Sequence, residues 1–373
     1  MQMVINILVF LVGFVAVALT LSSALSTFVL PRAARSQLNR IVFGLLRRVF
    51  DFLLHFSRTY ERRDTIMAYY APIGVMLLVP TWYVLIALGY ASMYWALGVG
   101  DFYQSIRLSG SSLFTLGFES NNAFWVMILE FSEAMLGLIM VALLISYLPT
   151  IYSAFSRREQ VVNMLEVRAG SPPSASEMLL RFHRNQGLEK LSEYWKTWES
   201  WFADLEETHT TLPALIFFRS PRAENSWVTA SGAVLDAAAF TLSTIDIPYE
   251  ISAALSIRAG FLSLRRIATY FDLPNPQNPH YPDTPICIER AEYDAVVTQL
   301  AAAGLPIKAD REQAWRDFAG WRVNYDRSLI LLCGLVMAPR APWSSDRAPK
   351  FHMTPLMILK RKKQKLYAEH ETA

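Results

Sequence analysis

Cysteine is nearly absent: the chain of 373 residues has two, Cys287 and Cys333. That excludes a disulfide framework and any cysteine-rich metal site, and each thiol reads as a small buried hydrophobe in a reducing compartment. Charge is also scarce. Asp, Glu, Lys and Arg make up 18% of the chain, and a net charge of +3 is too small to argue for a nucleic-acid partner. No Gly-x-Gly-x-x-Gly follows a strand-like run, because Gly98-Val99-Gly100 closes an apolar segment, and no Walker motif appears. His183, His209 and His280 lack partners at metal-ligand spacing, and Glu206-Glu207-Thr208-His209 reads as a solvated helix end. With no nucleophile–base or metal constellation, the reading is of a non-enzyme without a cofactor.

Apolar residues are what the chain has in excess, at 53%. Met1 to Pro31 carries no charge, and with no basic start it reads as a retained membrane helix rather than a cleaved signal. Thr65 to Gly100 is a second charge-free stretch, with Trp82, Tyr83, Tyr90, Tyr94 and Trp95 suited to headgroup level or pore-helix packing. A third span, about Asn122 to Tyr152, holds two carboxylates, Glu130 and Glu133, on one helix face. They read either as a pH-sensitive brace or cation site, or as structural hydrogen-bonding groups.

Basic residues set the orientation. Arg32, Arg35, Arg40, Arg47, Arg48, Arg58, Arg62 and Arg63 lie between the first two spans, Arg107 alone between the second and third, and Arg157 and Arg158 after the third. The positive-inside rule puts the N-terminus outside and the C-terminal part in the cytoplasm of a multi-pass protein of the cell membrane. Around Arg47 and Arg48, Ile41, Phe43, Leu45, Leu46, Val49, Phe50, Leu53 and Leu54 recur at helical spacing. This pattern predicts a helix in the inner interface, or one docked on the soluble part. Arg does not recur every third residue within a span, so there is no voltage-sensing helix.

Between the second and third spans, Asp101 to Phe114 has the length of a short re-entrant helix with small residues Ser109, Gly110, Ser111 and Ser112. Thr115-Leu116-Gly117-Phe118-Glu119 follows. Threonine offers hydroxyl and carbonyl oxygens, Gly117 takes backbone angles that turn carbonyls to one side, and Leu116 and Phe118 are placed to brace a wall. The pattern resembles the two-transmembrane pore module of tetrameric potassium channels, over residues 65–158. That family's filter reads Thr-Val-Gly-Tyr-Gly followed by Asp. Gly137 resembles its inner-helix hinge, and Ser146-Tyr147-Leu148-Pro149 with Phe155-Ser156-Arg157-Arg158 resembles the intracellular end of the inner helix. By residue type alone, Gly137 reads equally as a packing glycine and Pro149 as a bend or helix end.

The resemblance implies a homotetrameric cation channel in a lipid bilayer, with potassium or other monovalent cations as permeant ions. The departures are Glu119 for the last glycine, Ser120 for the Asp, and Phe114 for a preceding Thr. They leave open a nonselective or divalent-modulated pore, with Glu119 either at the outer mouth or turned back to the pore helix. A non-conducting membrane-anchored sensor or scaffold is the reading of a different class.

The expected fold is an all-α membrane protein. Residues 1–64 form an N-terminal span and an interfacial helix, residues 65–158 a two-helix pore domain, and residues 159–373 a mostly helical cytoplasmic domain. In the last, Gln186–Glu207, Trp227–Leu242, Glu250–Tyr270, Glu289–Ala303 and Arg311–Leu332 read as helices, with a proline-rich loop at Pro274–Pro285. Val228–Ile245 and Leu329–Ala338 read as buried helices rather than spans. Lys360, Arg361, Lys362, Lys363 and Lys365 read as a solvated tail or a contact for anionic lipid.

Overall fold

A computed structural model of the chain describes residues 1–28, 36–57, 59–185 and 187–349. It is all-helical, with 75% helix and no strand among the described residues; a lone antiparallel bridge joins Ile245 and Ile307. The basic tail from Lys360 to Lys365, and Arg32, Arg35 and Arg58, lie outside the described residues.

Three helices are long and apolar enough to cross a membrane. They are α1 (Gln2–Phe28), α4 (Tyr70–Ala96), and α6 (Phe124–Ala169), which runs for 46 residues. Between the first two lie α2 (Gln37–His55) and α3 (Tyr60–Ala68), and α5 (Phe102–Leu113) sits between α4 and α6. The chain divides into two compact units. One is Met1–Leu46 with Ala71–Ser153, and the other is Arg47–Tyr70 with Ala154–Ala373.

In the first unit, α1 meets α4 glycine to glycine. A Cβ on Gly13 would lie 2.5 Å from the Gly89 carbonyl oxygen, and one on Gly89 would lie 2.6 Å from Val17 Cγ2. Small residues let backbones approach where lipid supplies no hydrophobic drive. The indole of Trp82 donates to Ser23 Oγ (3.3 Å) and fixes the rotation of the pair.

Helix α2 presents two apolar faces. Phe43, Phe50 and Leu54 are buried together with Arg47, whereas Ile41, Leu45, Val49 and Phe52 are 52–66% exposed. The second face is the one an interfacial helix would lay against lipid.

The second unit continues with α7 (Ala175–Arg184), α8 (Leu191–Thr211), α9 (Trp227–Ser243), α10 (Ile251–Tyr270), α11 (Arg290–Ala302), α12 (Arg311–Arg322) and α13 (Asp326–Val336). Helix α9 is its axis, with every residue buried, so Ala-rich composition here marks a core helix packed on all sides. Burying Asp236 within it is tolerated because Arg322 Nη1 donates to both its carboxylate oxygens (2.5 and 2.7 Å) and Tyr325 donates its hydroxyl (2.8 Å).

Three sequence expectations need correction. Arg311–Leu332 is two helices, because Asn324 turns its amide back to the Gly320 and Trp321 carbonyls and ends α12, while Arg322 reaches Asp236 and Asp326. The second concerns Thr208 and His209, which are not a solvated helix end. Both are buried, and the His209 ring lies 3.1 Å from Arg158 Nη1. The third is the helix expected over Gln186–Glu207: Gln186 lies outside the described residues, Leu188–Lys190 is a 3₁₀ turn, and α8 runs on to Thr211.

Candidate functional site

Helix α5 starts where Asp101 caps it, its carboxylate accepting the Gln104 amide at 2.8 Å beside the positive end of the helix dipole. It buries Ser105, Leu108, Ser109, Ser111 and Leu113. Its end is a helix-closing turn: the Thr115 amide bonds the Ser112 carbonyl (3.0 Å), and the Leu116 amide bonds that of Ser111 (2.8 Å). Closing it this way requires a left-handed residue, and Thr115 takes that conformation with φ 54°. A β-branched residue there stores roughly 1–2 kcal/mol of strain. Gly117 is left-handed as well, with φ 69°, at no such cost.

The turn is then clasped from the far side. Ser111 Oγ accepts the Glu119 amide (2.9 Å) and donates to the Glu119 carbonyl (3.0 Å). The amides of Thr115, Leu116 and Gly117 are thus spent on α5. Among the described residues, no hydrogen bond reaches the carbonyls of Thr115, Leu116, Gly117 or Phe118. The Thr115 hydroxyl bonds its neighbour's carbonyl, Phe114 O, at 2.7 Å. Leu116 and Phe118 are 64% and 55% exposed in the single chain, so neither braces a wall made by its own chain.

The Glu119 carboxylate pairs with Arg107 on α5 at 3.0 Å. Arg107 also lies over the Phe118 ring, 5.8 Å from its centroid. Both side chains of the pair are partly exposed. Arg107 is the lone basic residue between the second and third candidate spans, which is the signal in the sequence for this role.

The two carboxylates of the third candidate span separate in role. Glu130 accepts the Asn121 amide (2.9 Å) and holds the turn ahead of α6. Glu133 is fully buried and accepts from Tyr94 on α4 (2.9 Å) and from Ser109 on α5 (2.5 Å), so it ties three helices at one point. One turn further along α6, the Gly137 backbone lies against the Leu113 carbonyl, too close for any Cβ, and the Gly137 carbonyl accepts from Tyr83 (2.7 Å). Tyr83 in turn stacks on Phe114 at 5.3 Å. Tyr83 and Tyr94, expected at headgroup level or in pore-helix packing, and Ser109 and Ser111, expected as small packing residues, act here through hydrogen bonds, whose partners spacing does not reveal.

Pro149 does not end α6, which continues to Ala169. Val126, Glu133, Gly137, Met140, Tyr147 and Ile151 form the helix's buried stripe, and Phe131, Leu138, Ile145 and Tyr152, seven residues apart in turn, are 63–68% exposed. The structure therefore brings Gly137 and Glu133 against α5, which carries the turn, and leaves Pro149 more than two turns further along. The chain matches no protein family, no curated protein and no solved structure.

Proposed function

We propose that the chain is the subunit of a tetrameric cation channel, with Thr115, Leu116, Gly117 and Phe118 supplying backbone carbonyls to dehydrated ions and potassium as the main permeant. The observation that carries this reading is the turn after α5. Its amides are consumed by the helix, its carbonyls have no donor among the described residues, and it hangs between two candidate spans. Four copies around an axis would put these carbonyls in rings. The exposed apolar stripe on α6 and the exposed Leu116 and Phe118 side chains would meet neighbouring copies or lipid. In this reading the protein lies in the cell membrane, N-terminus outside and helical unit in the cytoplasm, as the arginine distribution favours. Permeation is passive: coordination offsets dehydration, and successive sites let ions leave.

The second reading, a nonselective or divalent-modulated channel of the same architecture, draws on Glu119. It occupies the place of a filter glycine, and its carboxylate is engaged by Arg107 rather than by the backbone turn. Reversal potentials of purified protein in bilayers, potassium on one side and sodium on the other, separate the two. A reversal displaced toward the potassium potential supports selectivity, and a reversal near zero supports the second reading. A monomer in native mass measurement, together with no conductance, would remove both and favour a membrane-anchored scaffold.

A further inference from the structure

Both ends of the α4–α6 segment are held by one short stretch of the soluble unit. Pro213–Phe217 is a 3₁₀ turn after α8, with Leu215, Ile216 and Phe217 buried. On the outgoing side, Arg158 of α6 is 1% exposed and donates to the Leu215 carbonyl (2.9 Å) and the Phe218 carbonyl (2.6 Å). Its Nε pairs with Glu159 at 2.8 Å, and Phe155, one turn earlier, meets Phe218 ring to ring at 5.8 Å. On the incoming side, Arg219 pairs with Asp64 of α3 at 2.5 Å and donates to the Val336 and Met337 carbonyls (3.0 and 3.1 Å). Phe217 packs edge-on against Tyr70, the first residue of α4, at 5.4 Å.

Leu215 to Arg219 therefore touches the chain just before the second span and just after the third. Each guanidinium uses its planar fork on several fixed acceptors, a geometry that neither lysine nor a flexible contact reproduces. Helix and 3₁₀ turn are stiff, so displacing one end strains the other unless buried hydrogen bonds are given up. We propose that Leu215–Arg219 is a clasp that couples the chain entering α4, residues 64–70, to the chain following the third candidate span, residues 154–162. The gating role of this element rests on the channel reading; the mechanical link between its two sides does not.

The test uses the full chain in lipid nanodiscs and in potassium-loaded vesicles. Arg219→Gln cuts the incoming side. Arg158→Gln with Glu159→Gln cuts the outgoing side without stranding a buried carboxylate. Arg219→Lys keeps the Asp64 pair but loses the two carbonyl bonds, and serves should the stronger variants fold poorly. Either cut is expected to speed amide hydrogen exchange about tenfold at both residues 64–70 and residues 154–162. Vesicle potassium flux is expected to change at least about threefold with the reversal potential unmoved. Faster exchange confined to the side that was cut overturns the coupling, whatever the flux does. Linked exchange in a wild type that passes no ions upholds the coupling and overturns the channel reading.

Discussion

A methyl group on Gly137 distinguishes a packing glycine from a hinge. An ideal Cβ there would sit 3.2 Å from the Leu113 carbonyl carbon and 3.5 Å from Leu113 Cδ1, with the Leu113 carbonyl oxygen well inside contact distance. The clashing atom is backbone at the last residue of α5, so no side-chain rotation relieves it. α5 must move away from α6 and carry the turn at Thr115–Gly117 with it. Such overpacking costs about 1–3 kcal/mol, and a backbone clash belongs at the upper end. Loosening the Tyr83 bond to the Gly137 carbonyl, 2.7 Å, costs about 1 kcal/mol more. Alanine returns about 1 kcal/mol through helix propensity. The net expectation is a loss of about 2–3 kcal/mol. Thermal denaturation of the purified protein in detergent should show Gly137→Ala melting several degrees below wild type, with reduced potassium flux. Gly320→Ala on α12, where a Cβ meets nothing within 4 Å, is the control and should melt no lower. A hinge glycine gives the opposite result, altered open probability with stability unchanged or raised, and that result would refute the packing argument.

Thr115→Gly should relieve about 1 kcal/mol of left-handed strain and raise the melting point while lowering potassium flux; a variant that conducts like wild type would show that the threonine has no part in permeation. His209 gives a pH prediction for the second unit. Its Nδ1 lies 2.9 Å from the Leu205 carbonyl and its Nε2 3.1 Å from Arg158 Nη1, an arrangement that fits the neutral ring. Burial, and then the Arg158 charge, hold its pKa well below 6.5. Below about pH 6.5 the unfolded chain therefore takes up a proton that the folded chain refuses, and stability falls as pH falls, by up to about 1.4 kcal/mol per pH unit. Unfolding followed from pH 7.5 to 5 should be steeper in wild type than in His209→Gln by about one proton, and equal slopes would count against it.

Much of the architecture is legible without coordinates because each signal is local. A charge-free run long enough to span, an Asp before a short helix, and an alanine-rich segment too short or too interrupted for a membrane depend only on neighbours in sequence. The break between α12 and α13 was hidden because Asn324 ends the helix with a side chain, inside a run whose apolar spacing continues. His209 was misread because its environment is made by Arg158, far away in the chain on another helix.

The sequence alone determined three apolar helices, a short helix between the last two, the glycine and threonine after it, and a helical remainder. Periodicity and charge act over a few residues, and those were enough. Tertiary structure decided which partner each polar group found. Glu133 joins Ser109 and Tyr94, Glu119 turns to Arg107, Gly137 receives the Leu113 carbonyl, and Asp236 meets Arg322 across 86 positions. A buried charge or a backbone contact is stable only with its complement at hydrogen-bond distance, and which residues reach that distance depends on how the helices pack.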